Sequence, residues 1–334
     1  MAWSKRRNQH VVILSLFAAT MTRSRTTSAA ASLLVLSGVS STGAFTATQP
    51  STNRAISSIS NNIIMAASTD TDAASASAVS PYAATPNPPP TKTASAVIFD
   101  IDGTLADSWR LGYDATAVVL QNNDLAHVEF NEEIYHETCV YATPERLART
   151  AGLTPDAPNF EEVGADLGRQ FDDHYVKLVS PKTCAFYPGM LDVLEKLPRD
   201  TKLGALTNAC ADYGHAVLQA NCPVRTALDN TYGLGFALYS RFDTIHGADS
   251  VPAPKPSPEG LLQCAREIGL EHDLGNIVYV GDAVGDGKAA RAAGMVSVGV
   301  LWGSNSEEKL RNADTFDYIV GSVEELRELL PQQE

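Results

Sequence analysis

The sequence predicts an α/β fold, a doubly wound parallel sheet covered by helices on both faces, with a helical insertion after its first strand. Two observations carry this prediction. After Thr93, short apolar runs alternate with amphipathic helical segments, which is the pattern of a parallel sheet. Residues 110–179 interrupt the alternation, because this stretch contains helical periodicity and no strand pattern.

The first predicted strand is the apolar run 96–100, which ends in the carboxylate of Asp100. Four similar runs follow it, at 203–207, 277–280, 296–301 and 318–320. Their apolar residues are consecutive and do not alternate with polar ones. This pattern is typical of strands that are buried on both faces.

Helices are predicted between the strands and within the insertion. Segments 258–268 and 324–330 have helical spacing of their apolar residues. In the insertion, apolar residues that step by three and four mark a further helix: Phe160, Val163, Leu167, Phe171, Tyr175 and Leu178. The predicted boundaries are 93–110 and 181–334 for the core and 111–180 for the insertion. Segment 209–254 has no predicted role, and residues 221–240 have no assigned structure.

Residues 1–92 are predicted to be a targeting presequence and a disordered linker. Apolar runs at 11–19 and 29–39 each follow basic residues, as in a signal peptide, and both are too short to span a membrane. A stretch rich in Ser, Thr and Ala follows the Ala44–Phe45 junction, as in a transit peptide. The combination resembles the bipartite plastid presequences of diatoms and related algae, and it predicts a plastid location. A secretory signal is the alternative, and translation could start at Met1 or Met21.

Proline marks the end of this region, and residues 80–93 are predicted to be a linker that continues neither helix nor strand. Charge is also divided unevenly along the chain. Of 25 basic and 39 acidic residues, seven basic and two acidic ones precede Thr93, so residues 93–334 carry a net charge of −19. Because residues 93–334 are this strongly negative, they repel nucleic acid and anionic lipid. Neither is therefore a predicted partner of the mature protein. The oligomeric state is left open.

Carboxylates follow two of the predicted strands. Asp100 and Asp102 leave the first strand two residues apart, on the same side of the chain, and Gly103 permits a sharp turn. Asp282 and Asp286 follow the strand at 277–280. Ligands of open α/β sheets bind at the carboxyl ends of the strands, and clustered carboxylate oxygens suit Mg²⁺. The sequence therefore predicts a magnesium site at this edge.

Four segments in order resemble the motifs of the haloacid dehalogenase-like hydrolases. Residues 99–108 resemble motif one, 206–208 motif two, 255–258 the motif-three lysine segment and 280–286 motif four. The resemblance covers nearly all of residues 95–330, and it is strongest to the branch of phosphoglycolate phosphatase and β-phosphoglucomutase. It implies a Rossmann-like hydrolase core, with the helical insertion as a cap over the sheet.

The resemblance also implies roles for the matching residues. Asp100 would be the nucleophile that forms an aspartyl-phosphate, and Asp102 would protonate the leaving oxygen and then deprotonate the attacking water. Mg²⁺ would bind Asp100, the backbone carbonyl of Asp102, and Asp282, with Asp286 supporting the metal shell. The phosphoryl oxygens would be held by Thr207, Asn208 and Lys255.

The predicted activity is that of a phosphoric monoester hydrolase acting on a small phosphorylated metabolite, either 2-phosphoglycolate or a sugar phosphate. A phosphosugar mutase of the β-phosphoglucomutase type is an alternative, because it shares every core motif. A non-catalytic binding or regulatory member of the fold is a second alternative. Arg146 opens a predicted cap helix and could contact a substrate anion, but a surface position is the favoured interpretation.

Overall fold

The computed structural model describes residues 81–85, 88–222 and 238–333. The described residues form a six-stranded, wholly parallel sheet in the order β5-β4-β1-β6-β7-β8. Its strands are β1 (Ala96–Phe99), β4 (Lys202–Leu206), β5 (Phe242–His246), β6 (Ile277–Gly281), β7 (Val296–Val300) and β8 (Tyr318–Val320). The short strands β2 (Ala106–Asp107) and β3 (Ala185–Phe186) pair antiparallel beside it. This confirms the predicted doubly wound α/β fold.

Strand β1 lies at the centre of the sheet. This position explains why residues 96–99 form a continuous apolar run. Val97 and Phe99 pack into a core cluster on one face, while Ala96 and Ile98 pack into a second cluster on the other. All four side chains have no exposed surface. Because alternate side chains point to opposite faces, both faces of this strand must be apolar.

The helices of the core cover both faces of the sheet. The cluster around Phe99 includes residues of α5 (Met190–Lys196), α6 (Ala211–Asn221) and α10 (Val323–Leu329). The cluster around Ile98 includes residues of α7 (Glu259–Glu267) and α8 (Val284–Ala293). Helix α9 (Glu307–Ala313) contributes Leu310 to a third, smaller cluster.

The cap inserted after β1 consists of helices, as the sequence predicts. These are α1 (Trp109–Asn122), α2 (Glu132–Thr138), α3 (Thr143–Thr150) and α4 (Phe160–Leu178). The predicted stripe on α4 buries Leu167, Phe171 and Tyr175 in the same core cluster as Phe99. The cap thus shares apolar packing with the sheet.

The order of the strands determines where a site can form. From β1 the chain adds β4 and then β5 on one side, and it then crosses back to place β6 on the other side of β1. Strands β1 and β6 are therefore neighbours at the point where the connections change direction. Ligands of such sheets bind at the carboxyl ends of the strands beside this point.

The proline-rich segment before the core differs from the predicted linker. Ala83 pairs antiparallel with Tyr318 of the edge strand β8. The backbone N–H of Ala84 donates to the Asp317 carbonyl at 2.8 Å, and that of Ile319 donates to the Tyr82 carbonyl at 3.0 Å. The prediction of a linker that continues no strand is therefore wrong at residues 82–84. No proline occupies these three positions, so their backbone can pair and cover the sheet edge.

Strand β5 is the strand of the six-stranded sheet that the sequence does not predict. Its residues Phe242–His246 include one charged and two polar side chains, so they do not form an apolar run. Of the unassigned segment 221–240, residues 223–237 lie outside the described part, as does the presequence up to residue 80. Within the described part of the chain, no helix is long and apolar enough to cross a membrane.

Candidate active site

Lys255 joins two of the predicted carboxylates beneath the carboxyl edge of the sheet. Its Nζ lies 2.6 Å from Asp100 Oδ1 and 2.8 Å from Asp286 Oδ1. It also donates to the Leu206 carbonyl at 3.1 Å and to the Tyr279 hydroxyl at 2.9 Å. The ammonium is thus held from several sides, and its side chain is only 5% exposed.

Three carboxylates of this edge lie close together. Oxygen atoms of Asp100, Asp282 and Asp286 all lie within 4.8 Å of one another, and all three residues are buried. Asp100 follows β1, Asp282 follows β6, and Asp286 lies in the first turn of α8. There the Asp286 carboxylate accepts a hydrogen bond from the Ala283 backbone N–H at 2.9 Å. Residues 182 positions apart in sequence meet because β1 and β6 are adjacent.

The electrostatics of the cluster follow from its burial. Burial raises the pKa of Asp100 well above its usual range, and the Lys255 ammonium partly offsets this effect. Burial and the neighbouring Asp286 charge raise the pKa of Asp282 to about 7. Burial alone would lower the pKa of Lys255, but the carboxylates of Asp100 and Asp286 raise it above its usual value. The lysine is therefore charged, and one positive charge faces three carboxyl groups.

This arrangement fits a hard divalent cation. Three buried carboxylates with a single ammonium leave an excess of negative charge, which is costly to bury without a further cation. Carboxylate oxygens are the ligands that Mg²⁺ prefers. Asp100 and Asp282 therefore have the chemistry predicted of metal ligands, whereas Asp286 also forms an ion pair with Lys255.

Two glycines allow the chain to pass close to Asp282. Gly103 has a φ of +77°, and a Cβ atom built there would lie 2.5 Å from Asp282 Oδ2. A Cβ at Gly303 would lie 2.3 Å from the same oxygen. The Ser304 backbone N–H, just beyond Gly303, donates to that oxygen at 2.7 Å. The sharp turn expected at Gly103 is therefore present, and it positions Asp282.

Asp102 differs from the expectation of a four-carboxylate cluster, because its side chain turns toward hydroxyl groups. Its Oδ1 accepts hydrogen bonds from Ser108 at 2.5 Å, Tyr213 at 2.6 Å and Tyr175 at 3.2 Å. Its Oδ2 accepts one from Thr207 at 3.0 Å. These four donors fix the orientation of the Asp102 carboxylate, which differs in its partners from the group formed by Asp100, Asp282 and Asp286.

The two tyrosines come from different layers of the molecule. Tyr175 lies on cap helix α4 and Tyr213 on core helix α6, and their rings stack with centroids 4.1 Å apart. Burial and the Asp102 charge raise the pKa of both phenols well above the usual value. Both hydroxyls therefore stay protonated and can donate to Asp102.

The predicted phosphate ligands Thr207 and Asn208 lie at the end of β4, beside this group. The Thr207 hydroxyl accepts the Ala209 backbone N–H at 3.0 Å while it donates to Asp102. The Asn208 side chain forms two hydrogen bonds with the backbone of Lys255. Its Oδ1 accepts from the Lys255 N–H at 3.0 Å, and its Nδ2 donates to the Lys255 carbonyl at 2.9 Å. Asn208 thus positions the lysine loop, and its contact with phosphate stays a prediction.

Sequence reasoning missed four side chains that complete the site. Ser108 is the last residue of the first motif, yet no role follows from its position. Tyr175 belongs to an apolar helix stripe, where an aromatic residue is normally a core residue. Tyr213 and Tyr279 lie on a helix and a strand, and only their hydroxyl contacts with Asp102 and Lys255 reveal them.

The surface position favoured for Arg146 is wrong. This residue on cap helix α3 is 5% exposed, and its guanidinium donates to the Thr116 hydroxyl at 2.8 Å. Its carbon Cζ lies 4.5 Å from the centre of the Phe171 ring. The residue is buried because it faces helices α1 and α4 within the cap.

Comparison with known proteins agrees with this geometry. The sequence model described as haloacid dehalogenase-like hydrolase matches residues 94–294. The phosphoglycolate phosphatase of Shigella dysenteriae serotype 1 is 30% identical over 247 residues, which cover 69% of this chain and 90% of that protein. The phosphoglycolate phosphatase of Caulobacter vibrioides is 29% identical over 213 residues, covering 63% of this chain and 81% of that protein.

Solved structures show the same fold. A protein of Lactobacillus delbrueckii subsp. bulgaricus superposes with a TM-score of 0.56 at 22% identity, covering 72% of this chain and all of that one. CbbY of Rhodobacter sphaeroides, solved in complex with xylulose-(1,5)bisphosphate, superposes with a TM-score of 0.54 at 22% identity. That match covers 68% of this chain and 93% of that one.

Proposed function

The chain belongs to the haloacid dehalogenase-like hydrolases and is a phosphoric monoester hydrolase, and we propose that it hydrolyses a small phosphorylated metabolite, 2-phosphoglycolate foremost, at Asp100. One observation carries this proposal: Asp100, Asp282, Asp286 and the Lys255 ammonium converge at the carboxyl edge of β1 and β6. The names of the relatives support the choice of 2-phosphoglycolate.

In the first step, Asp100 attacks the phosphorus atom of the ester, and the bond from phosphorus to the leaving oxygen breaks. Asp102 donates a proton to that oxygen, so the alcohol departs neutral. The product of this step is an aspartyl-phosphate. A carboxylate nucleophile divides a very slow hydrolysis into two easier steps.

In the second step, Asp102 takes a proton from a water molecule as the water attacks the aspartyl-phosphate. The bond from phosphorus to the Asp100 oxygen breaks, which releases inorganic phosphate and restores both carboxyl groups. The ammonium of Lys255, 2.6 Å from Asp100, favours the ionised form of the nucleophile, partly offsetting the effect of burial on its pKa, and neutralises the charge of the phosphoryl group.

We propose Mg²⁺ as the cofactor, bound by Asp100, Asp282 and the backbone carbonyl of Asp102. When bound, it would neutralise the negative charge that otherwise repels an anionic nucleophile from a phosphate ester. Asp286 would support this arrangement through its ion pair with Lys255, and Thr207 and Asn208 would bind phosphoryl oxygens.

Phosphate release from a metabolite panel tests the proposal. The purified protein should release phosphate from 2-phosphoglycolate with Mg²⁺, and EDTA should stop the reaction until Mg²⁺ is restored in excess. Isomer formation from a sugar 1-phosphate without free phosphate would contradict hydrolysis. If EDTA does not reduce the rate of phosphate release, the proposal that Mg²⁺ is the cofactor is wrong.

We also propose that the N-terminal region directs the protein to a plastid, with cleavage between Ala44 and Phe45. The support is the signal-like run, the Ala-Phe junction and the following transit-like composition. A fusion of residues 1–80 to a fluorescent protein tests it in an algal cell with a secondary plastid. Fluorescence in the secretory pathway would favour the alternative.

A further inference from the structure

Trp302 joins two loops that flank Asp282. Its indole N–H donates to the Thr104 carbonyl at 3.1 Å, although the two residues lie 198 positions apart in the sequence. Trp302 belongs to the loop after β7, and Thr104 belongs to the loop after β1. Strand β6, which Asp282 follows, lies between β1 and β7 in the sheet. The hydrogen bond therefore connects the loops on either side of Asp282.

Both loops contact the same oxygen of Asp282. A Cβ atom built at Gly103, in the loop after β1, would lie 2.5 Å from Asp282 Oδ2, and a Cβ atom at Gly303, in the loop after β7, would overlap that oxygen. The Ser304 backbone N–H donates to it at 2.7 Å. One carboxylate oxygen is thus enclosed between two loops, so the carboxylate cannot rotate freely unless the loops separate.

Apolar packing does not explain the indole N–H of Trp302. The ring packs against the core cluster around Phe99, and its centre lies 6.3 Å from that of the Tyr187 ring. A phenylalanine could fill such an apolar position, but it could not donate to a carbonyl. Because Thr104 has no exposed surface, its carbonyl could not bind water in place of the indole unless the loop moved. The N–H group therefore has a role beyond packing.

The loop after β1 is a tight turn, so a shift at one carbonyl affects its neighbours. The Gly103 backbone N–H donates to the Ala106 carbonyl at 3.0 Å, and the Leu105 carbonyl accepts from the Tyr187 backbone N–H at 3.0 Å. Loss of the bond from Trp302 would therefore displace the glycine that faces Asp282.

We propose that Trp302 is a positioning residue for the metal ligand Asp282. Its indole N–H holds the loops after β1 and β7 together, and the enclosed carboxylate is thereby oriented to bind a divalent cation. The inference rests on the proposed Mg²⁺ site. Groups that orient a metal ligand typically contribute about 10–100-fold to the affinity for the metal. Trp302 acts through Gly103 and Ser304, and in this role it contacts neither the substrate nor the reacting atoms.

Magnesium binding to Trp302→Phe tests the proposal. The substitution removes the indole N–H and retains an aromatic ring. We expect the Kd for Mg²⁺, measured by isothermal titration calorimetry on the purified protein without substrate, to rise by about 10-fold. The Mg²⁺ concentration that gives half-maximal phosphate release should rise by the same factor. At saturating Mg²⁺, kcat and the KM for the ester should stay within about twofold of the wild type, because the missing bond affects the metal ligand alone.

Two further variants serve as controls. Trp109→Phe makes the same chemical change on cap helix α1, where the ring lies 5.4 Å from that of His136, and should leave the Kd for Mg²⁺ unchanged. A protein with 3-benzothienylalanine at position 302 keeps the shape of tryptophan but has sulfur in place of the indole N–H. It should show the same rise in Kd, and it tests the hydrogen bond even if Trp302→Phe does not fold. Thermal unfolding without metal shows which variants are folded.

The outcomes separate this inference from the proposed function. If the folded variants at position 302 bind Mg²⁺ as tightly as the wild type does, or if Trp109→Phe weakens binding equally, the role of Trp302 is refuted while hydrolysis stands. If the wild type binds Mg²⁺ but releases no phosphate from any ester, hydrolysis is refuted and calorimetry still decides the role of Trp302. If the wild type binds no Mg²⁺, the proposed cofactor and this inference are both wrong.

Discussion

At the scale of single residues, Asp102 lies where side chains from the cap and the core meet. Ser108, which follows β2, and Thr207, which follows β4, donate to it. The stacked pair Tyr175 and Tyr213 donates from two helices. Because one of these donors belongs to the cap, a movement of the cap would change the number of hydrogen bonds that Asp102 accepts. The orientation of the proposed acid is therefore coupled to the position of the cap.

Replacing the nucleophile should abolish the reaction. Asp100→Asn keeps the size of the side chain but removes its ability to form an aspartyl-phosphate, so we expect phosphate release to fall by more than about 10³-fold. Thermal unfolding should show a folded protein. Asp114→Asn is the control, since Asp114 is an exposed partner of Arg110. Normal turnover by Asp100→Asn would refute the assignment.

Removing a single donor to Asp102 should reduce the rate without weakening substrate binding. Tyr213→Phe deletes the hydroxyl that lies 2.6 Å from Asp102 while it retains the stacked ring. We expect kcat to fall about 10-fold with little change in KM, because Asp102 acts in the chemical steps. Tyr113→Phe, on a ring that stacks on Phe130, is the matched control. A change confined to KM would indicate a binding role for Tyr213.

At the scale of elements, the segment before β1 acts as a cover for edge strand β8. Besides the pairing at Ala83, the Tyr318 hydroxyl donates to the Pro89 carbonyl at 2.5 Å, and the Thr91 hydroxyl donates to the Leu329 carbonyl at 2.7 Å. An uncovered edge strand presents unpaired backbone groups that favour association with other chains. Residues 81–85 and 88–92 therefore belong to the folded body.

A chain that starts at Thr93 should be less stable than one that starts at Ser80. The shorter chain loses the backbone hydrogen bonds of residues 82–84 and exposes β8, so we expect its Tm to fall by about 3–10 °C. Scanning calorimetry measures the difference, and light scattering should show more aggregation of the shorter chain. Equal Tm values would mean that this segment contributes no stability.

At the scale of the whole molecule, cap and core meet at a half-buried carboxyl group. Asp172 of α4 lies against Cys210, which precedes α6, and its Oδ1 is enclosed without a hydrogen-bond partner. Burial raises its pKa from the usual 3.8 to about 6. Between these two values the folded state binds more protons than the unfolded state does. The contribution of Asp172 to the free energy of unfolding therefore decreases as the pH rises through this window.

Asp172→Asn should therefore stabilise the protein at high pH. Above about pH 6 the wild type holds a charged carboxylate at this half-buried position, whereas the variant holds a neutral amide. We expect a gain of about 1–2 kcal/mol at pH 8 that shrinks toward pH 4. Urea unfolding at pH 4.5 and pH 8 measures both values. An equal difference at the two pH values would show that Asp172 does not titrate in this window.

The sequence by itself determined the parallel sheet, the helical cap and the carboxylates at the strand ends. These features are encoded locally, in apolar runs and in motifs of a few residues, and strand ends converge whenever a sheet is parallel. Only the tertiary structure decided which side chains surround those carboxylates. Tyr175 and Tyr213 donate hydrogen bonds to Asp102 although they lie 73 and 111 residues beyond it in the sequence. No periodicity of neighbouring residues predicts contacts over such distances along the chain. The burial of Arg146 likewise depends on how the cap helices pack together.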